Sequence, residues 1–303
     1  MVKKTIYYIQ YLLARSACGF LNLIPYRIVC ALGRMIGCLG YYLSAKRRAI
    51  TLDNLREAFG CEYTDPQLRR IARQSFSQLI LLLIEFVRIP KLLKDFSRYV
   101  TIVRKEIVWQ GLEKGNGVIL LVSHFGNWEL MAIMAGVIGY PISAVGRPMK
   151  NPYIYDYVMS LRGMTGLKSL PKKGAAKELM RELRNNRVVA ILFDQYAGSA
   201  GEVVPFFGRP AYTTPAVAQL ALRTGAEVIP AYNVRQPDGT HLIYVDDPIP
   251  LTDTGDKAAD YISNTLEYNR NLEKWIRQYP SQWFWFHRRW KKPRGARKQE
   301  TAV

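Results

Sequence analysis

Apolar and polar positions divide the chain into two regimes. In the first, residues 5–14, 16–26, 28–33 and 35–45 are uncharged and mostly apolar, interrupted by single basic residues. No uncharged window reaches the ~18 residues that a clean transmembrane helix needs. The pattern predicts two membrane-associated helices over residues 5–45, broken near Pro25, with Arg15 and Arg27 able to snorkel toward water. A pair of soluble helices packed on the following domain is the competing reading. Residues 46–60 start basic and turn amphipathic, with Leu52, Leu55 and Phe59 at helical spacing. Thr64 then suits a helix cap and Pro66 a first-turn position. That helix is predicted to run to about Val87.

From residue 117 short apolar runs alternate with helical periodicity. Strands are predicted at Val118–Val122, Ile142–Val145, Val188–Phe193, Val228–Val234 and His241–Val245, the last two joined by the turn signal Pro237-Asp238-Gly239. Helices are expected over 127–138, 151–163 and 173–184, then from Thr213 or Thr214 to just before Gly225, and over 256–278, stopped by Pro280. Strands alternating with helices predict an α/β fold, a mixed sheet flanked by helices. The division predicted is a hydrophobic helical segment at 1–45, an α/β domain at 46–290 and a basic flexible tail at 291–303. There is no internal repeat, GxGxxG or P-loop.

Charge adds a partner class. The chain has 43 Lys plus Arg against 24 Asp plus Glu, a formal +19. Residues 1–52 contain no acid, and seven bases fall between Arg288 and Lys298. Basic ends around an apolar N-terminal third point to an anionic membrane surface. Nucleic acid is the alternative partner, with Trp283–Phe286 as a stacking platform. The four cysteines form no CxxC pair, so no zinc ribbon, thioredoxin-type centre or other metal site is expected.

Of three histidines, His124 stands out. It follows the strand at 118–122, and strand ends are where α/β folds bind ligands. Glu129 lies five residues on, within reach through Gly126, and a His–carboxylate pair makes a base for a hydroxyl proton. The same spacing also fits a purely structural histidine. Arg147, held by Pro148 after the next strand, suits a phosphate or carboxylate fork; the plain alternative is a surface arginine. Asp194 and Gln195 end a further strand, at a ligand-facing position or as the cap of a Tyr196–Gly198 turn. Phe206 and Phe207 stand beside Arg209, as an acyl-chain lining or as ordinary packing. His241 opens a strand and reads as structural; His287 lies between aromatic and basic residues and reads as interfacial.

These blocks carry a resemblance. The run SHFGNWE around His124 and Glu129, then Arg147-Pro148 with Asn151, then Asp194-Gln195, Pro205–Gly208 and Thr213-Thr214-Pro215, and finally PSQWFWFHRR from Pro280, stand in order. With them the chain resembles the bacterial lipid A biosynthesis acyltransferases, the lauroyl and myristoyl transferases, within the lysophospholipid acyltransferase superfamily. The similarity spans nearly the whole chain.

The resemblance implies a glycerol-3-phosphate-acyltransferase-like fold and an enzyme on the cytoplasmic face of the bacterial inner membrane. The implied donor is acyl carrier protein, or acyl-CoA, and the implied acceptor is an anionic lipid, a lipid A precursor. His124 and Glu129 would be catalytic, and Arg147, Asn151, Asp194, Gln195 and Arg209 substrate-binding. No cofactor or nucleic acid is expected. Glycerophospholipid and mannoside-type glycolipid acceptors are the alternatives.

Overall fold

The structure, a computed structural model, describes residues 2–146, 148–171 and 174–291. The helices are α1 (Val2–Leu23), α2 (Tyr26–Leu43), α3 (Ala45–Phe59), α4 (Asp65–Val87), the single turns α5 (Ile89–Leu92) and α6 (Phe96–Tyr99), then α7 (Glu106–Glu113), α8 (Trp128–Val137), α9 (Pro152–Gly163), α10 (Ala175–Arg184), α11 (Ala216–Thr224) and α12 (Lys257–Gln278). The strands are β1 (Val100–Val103), β2 (Val118–Val122), β3 (Ile142–Gly146), β4 (Lys168–Pro171), β5 (Val188–Leu192), β6 (Glu202–Phe206), β7 (Arg209–Thr213), β8 (Glu227–Arg235) and β9 (His241–Val245).

Seven strands form one mixed sheet in the order β1-β9-β8-β2-β5-β3-β4. Every neighbouring pair is parallel except β8 with β9. Helices cover both faces, and β2 shows why its sequence is apolar throughout. Ile119 and Leu121 enter one core while Val118, Leu120 and Val122 enter the other, as the period of 2 demands of a strand buried on both sides. The α/β class and the mixed sheet are therefore as the alternation predicts. Strands β1, β4, β6 and β7 escaped that reading. Of these, β4 is a short edge strand carrying Lys168, Ser169 and Pro171, and β6 and β7 hold Pro205 and Pro210 within a separate hairpin. Phe207 and Gly208, both at positive φ, make its two-residue turn.

The N-terminal helices break at Pro25, and α2 packs along α4. A Cβ on Gly37 would lie 2.4 Å from Ser77 Cα, and one on Gly33 2.7 Å from Ile84 Cδ1, so two small residues one turn apart bring the backbones close. The opposite face of α2 exposes Leu32, Met35, Ile36, Leu39 and Leu43. A helix apolar on both faces is unusual on a soluble surface. No single described helix is long and apolar enough to cross a bilayer; α2 and α3 qualify only together, with a 94° bend between them.

Toward its end α4 buries Glu85 completely. Arg235 on β8 grips it through Nε at 2.8 Å and Nη2 at 2.5 Å, and Asn127 Nδ2 donates to it at 2.7 Å. Tyr26, at the start of α2, donates its hydroxyl at 3.1 Å, and His241 Nε2 lies 3.3 Å away. Burial pushes the Glu85 carboxyl up, but the Arg235 and His241 charges and their hydrogen bonds outweigh it and hold it well below the ordinary range. Its contribution to stability is therefore complete above the unfolded value of about 4.3 and is lost as pH falls through the lower native value.

Removing one partner of such a pair strands a buried charge. Arg235→Met is expected to cost about 3–5 kcal/mol at pH 7, measured by urea unfolding in detergent. The double change Glu85→Leu/Arg235→Met is expected to cost less than that single change. A double that costs as much as the two singles summed would show that the pair is not the unit of stability.

Candidate active site

The register of β2 against β5 assembles the site. Val122 pairs with Leu192, so the second residue beyond each strand, His124 and Asp194, face each other at the C-terminal edge of the sheet. The His124 main-chain N–H donates to Asp194 Oδ2 at 2.9 Å, and its ring Nδ1 lies 2.7 Å from Asp194 Oδ1. An ionised carboxylate only accepts. Nδ1 therefore carries the proton and Nε2 is left as the basic nitrogen.

Asp194 is 1% exposed and receives a third hydrogen bond, from Trp283 Nε1 at 2.7 Å. Burial pushes its carboxyl up. The His124 charge and the hydrogen bonds from His124 and Trp283 outweigh that and bring the net direction down, so Asp194 is held ionised. The imidazole keeps a partly open edge, 18% exposed, and packs edge-on to Trp128 at 5.0 Å and against Phe284 at 6.0 Å.

The loop carrying His124 is tied on both sides. Gly126, at φ +56°, donates its N–H to Gln282 O at 2.8 Å. A Cβ there would fall 1.7 Å from Asn233 O, which only glycine avoids. Asn127 then caps α8, accepting from Leu130 N–H at 2.9 Å while its amide reaches Glu85. From the other side, Phe125 bridges Trp283 and the Phe284 N–H donates to His124 O at 2.9 Å. Five residues beyond Phe284, Arg289 is fully buried, donating to Tyr212 O and Thr213 Oγ1 and lying over the Phe206 ring. Burial pushes its guanidinium down to about 10.

Glu129 is not the carboxylate on the imidazole. It stands in the first turn of α8 and accepts a two-pronged hydrogen bond from Arg162 near the end of α9, at 2.9 Å from Nε and 2.6 Å from Nη2. The helix turn that follows Asn127 carries its side chain toward α9, where a fork-shaped donor waits. Glu129 and Arg162 line a mostly apolar cavity of about 250 Å3, walled by residues such as Met131, Val145, Leu167, Ile191 and Leu192. Trp128 lines it too and connects it to His124.

Two of the remaining predicted residues, Asn151 and Arg209, are engaged by partners other than His124. Asn151 caps α9 through Tyr153 and Ile154, and its amide holds α1 by Tyr7 O at 2.9 Å and Gln10. Arg209 sits at the tip of the β6–β7 hairpin, bonded to Glu57 O at 2.9 Å and to the Glu57 carboxylate at 2.7 Å. Gln195 follows Asp194 and is half-buried. Arg147 lies outside the described residues, as does the tail from residue 292. Sequence reasoning missed Arg162, which has no motif of its own, and the part played by Trp283. The crowding of aromatics after Pro280 was the available signal for Trp283.

With this geometry in hand, comparison with known proteins is specific. A profile of the bacterial lipid A biosynthesis acyltransferases matches residues 1–292. A lipid A biosynthesis lauroyltransferase of Escherichia coli (strain K12) is 27% identical over 281 residues, 90% of this chain and 88% of its own. A lipid A biosynthesis palmitoleoyltransferase of the same organism is 26% identical over 279 residues, 88% of this chain and 86% of its own. A phosphatidylinositol mannoside acyltransferase of Mycolicibacterium smegmatis is 26% identical over 188 residues, and the chain spans only 60% of that relative's length.

Trp283→Phe removes one donor from the buried Asp194 carboxylate. The expected loss is about 1–3 kcal/mol at pH 7. Because that bond favours the ionised form, the difference from wild type should shrink as the pH falls below about 3.9 and Asp194 becomes protonated. Urea unfolding at pH 7 and pH 3 measures both; a pH-independent difference would mean that only ring packing was lost.

Proposed function

This chain belongs to the bacterial lipid A biosynthesis acyltransferase family and is an acyltransferase, and from that premise we propose that it moves a fatty acyl group from a thioester on acyl carrier protein to a hydroxyl of a lipid A precursor. The observation that carries the reading is the pairing of His124 with the buried, ionised Asp194 at a sheet edge beside an apolar cavity.

The acceptor hydroxyl sits against His124 Nε2. As its oxygen attacks the thioester carbonyl carbon, the proton passes to the imidazole, and Asp194 stabilises the imidazolium and fixes the tautomer. The tetrahedral intermediate collapses, the C–S bond breaks, and the imidazolium returns the proton to the leaving thiolate. Ser123 is 1% exposed and its Oγ meets no hydrogen-bond partner among the described residues, which favours direct transfer over an acyl-enzyme on its hydroxyl. Holding both substrates together supplies much of the rate.

The apolar cavity suits the acyl chain, with the Glu129–Arg162 pair fixing one wall. Glu129 is thus a positioning residue rather than the partner of the base. The Gly126 N–H is spent on Gln282 and is not free to serve as an oxyanion donor. The exposed apolar faces of α1 and α2 and the +19 charge support action at an anionic membrane surface, the cytoplasmic face of the inner membrane in this reading. A second reading, acyl-CoA-dependent transfer to a glycerophospholipid or a mannoside-type glycolipid, is favoured by the similarity to a mannoside acyltransferase.

The test is product mass spectrometry with purified enzyme in detergent, offering acyl carrier protein and coenzyme A thioesters and a phosphorylated, partly acylated lipid A precursor. A mass gain of one acyl chain is expected with the carrier-protein thioester. His124→Ala and Asp194→Asn should each lower kcat by roughly 10²–10⁴-fold, with the fold intact by circular dichroism. Glu129→Gln should act mainly on KM for the donor. Full activity in His124→Ala would overturn the scheme, and a gain on a glycerolipid or mannolipid alone would select the second reading.

A further inference from the structure

A second cavity, of about 380 Å3, opens where α1 gives way to α2 and meets the end of α4. Its size falls within the roughly 300–1,000 Å3 of small-ligand sites. It shares no lining residue with the apolar cavity beside Glu129. Three cations line it, Arg88, Lys91 and Lys94, against one carboxylate, the exposed Asp95.

The cations are only partly satisfied. Arg88 is 4% exposed. Its Nη1 donates to Leu21 O and, at 3.0 Å, to Ile24 O, while its Nε has no hydrogen-bond partner among the described residues. Lys91 reaches Asn22 O. Main-chain carbonyls carry only partial charge, and among the described residues none of the three cations pairs with a carboxylate within 4.0 Å, Asp95 included. Arg98, over the ring of the lining Tyr99, adds a further positive charge at the rim. The flanks are apolar: Leu23 is 81% exposed, Phe20 66% and Ile28 53%.

We propose that this cavity binds the phosphate of an anionic lipid headgroup, apart from the reacting site. A mono-anion replaces the missing counter-charge on Arg88 and the lysines. The exposed Phe20, Leu23 and Ile28 enter the hydrocarbon boundary and place the cations at headgroup depth. A free phosphate has the same headgroup chemistry without that apolar component.

The test measures binding of three probes to the purified full chain in neutral detergent by phosphorus NMR titration. The probes are dihexanoyl-phosphatidylglycerol, dihexanoyl-phosphatidylcholine and inorganic phosphate. Saturable binding of the phosphatidylglycerol is expected, tighter than either other probe. Lys91→Ala/Lys94→Ala should weaken it roughly ten-fold or more. The charge-matched control Lys257→Ala/Lys274→Ala, on exposed positions of α12, should change it less than two-fold. Both sites are on the surface, so folding is retained. Equal loss in the two doubles, or none in the first, overturns the site. Inorganic phosphate binding as tightly as the lipid overturns the lipid assignment.

Discussion

A buried carboxylate that must stay ionised dictates the architecture around it. Asp194 has almost no contact with water, and without donors it would take up a proton instead. Its donors are the His124 main chain, the His124 ring and the Trp283 indole. Each makes a demand on the fold. The first two require that β2 and β5 keep their register, because a slip of one residue would turn His124 away. The third requires that the chain, having finished α12, return across the end of the sheet at residues 280–286. The imidazole is thus oriented by three segments far apart in sequence.

The same loop is braced from its other side by a second buried carboxylate, and Gln282 links the two. Its main-chain carbonyl holds Gly126. Its side chain pairs with the Arg235 main chain in both directions, at 2.9 Å each, while the Arg235 guanidinium holds Glu85. Glu85 in turn holds Asn127, the cap of α8. Residues 123–127 are therefore also fixed by polar groups outside the His124–Asp194 pair. On the proposed function, such support keeps the base within the fraction of an ångström that productive geometry requires. Both Glu85 carboxylate oxygens have donors, which avoids the cost of a stranded buried charge.

The sequence made the sheet legible because its central strands are buried on both faces and read as continuous apolar runs. Edge strands and the proline-bearing hairpin gave no such signal. His124 was legible by its place after β2, and Asp194 by its place after β5. Their pairing was not, since strand order brings them together: β5 lies beside β2 although about seventy residues separate them. Nearness along the chain favoured Glu129 instead. That inference failed because the first turn of a helix points its side chains by helical geometry, not by sequence distance from His124. Asn151 and Arg209, expected to bind substrate, serve the fold as a helix cap and a hairpin tether. A polar residue beside proline can mark a ligand site or a cap and tether, and only tertiary contacts separate the two.

These connections give α4 two duties. One face receives α2, with Gly37 at backbone contact distance and Gly33 against the Ile84 and Leu81 side chains, and α2 turns its remaining apolar face outward. The other carries Glu85 to the reacting loop, and the Tyr26 hydroxyl at the head of α2 meets the same carboxylate. A short rigid path thus runs from the outward apolar face through α4 to Asn127 and His124. On the proposed function that rigidity has a use. A lipid acceptor brings its hydroxyl to a depth set by its own anchoring in the bilayer, so the base must stand at a fixed height above that surface. Close-packed glycines and a buried ion pair hold height better than a flexible linker would, because interiors at crystalline density resist small displacements.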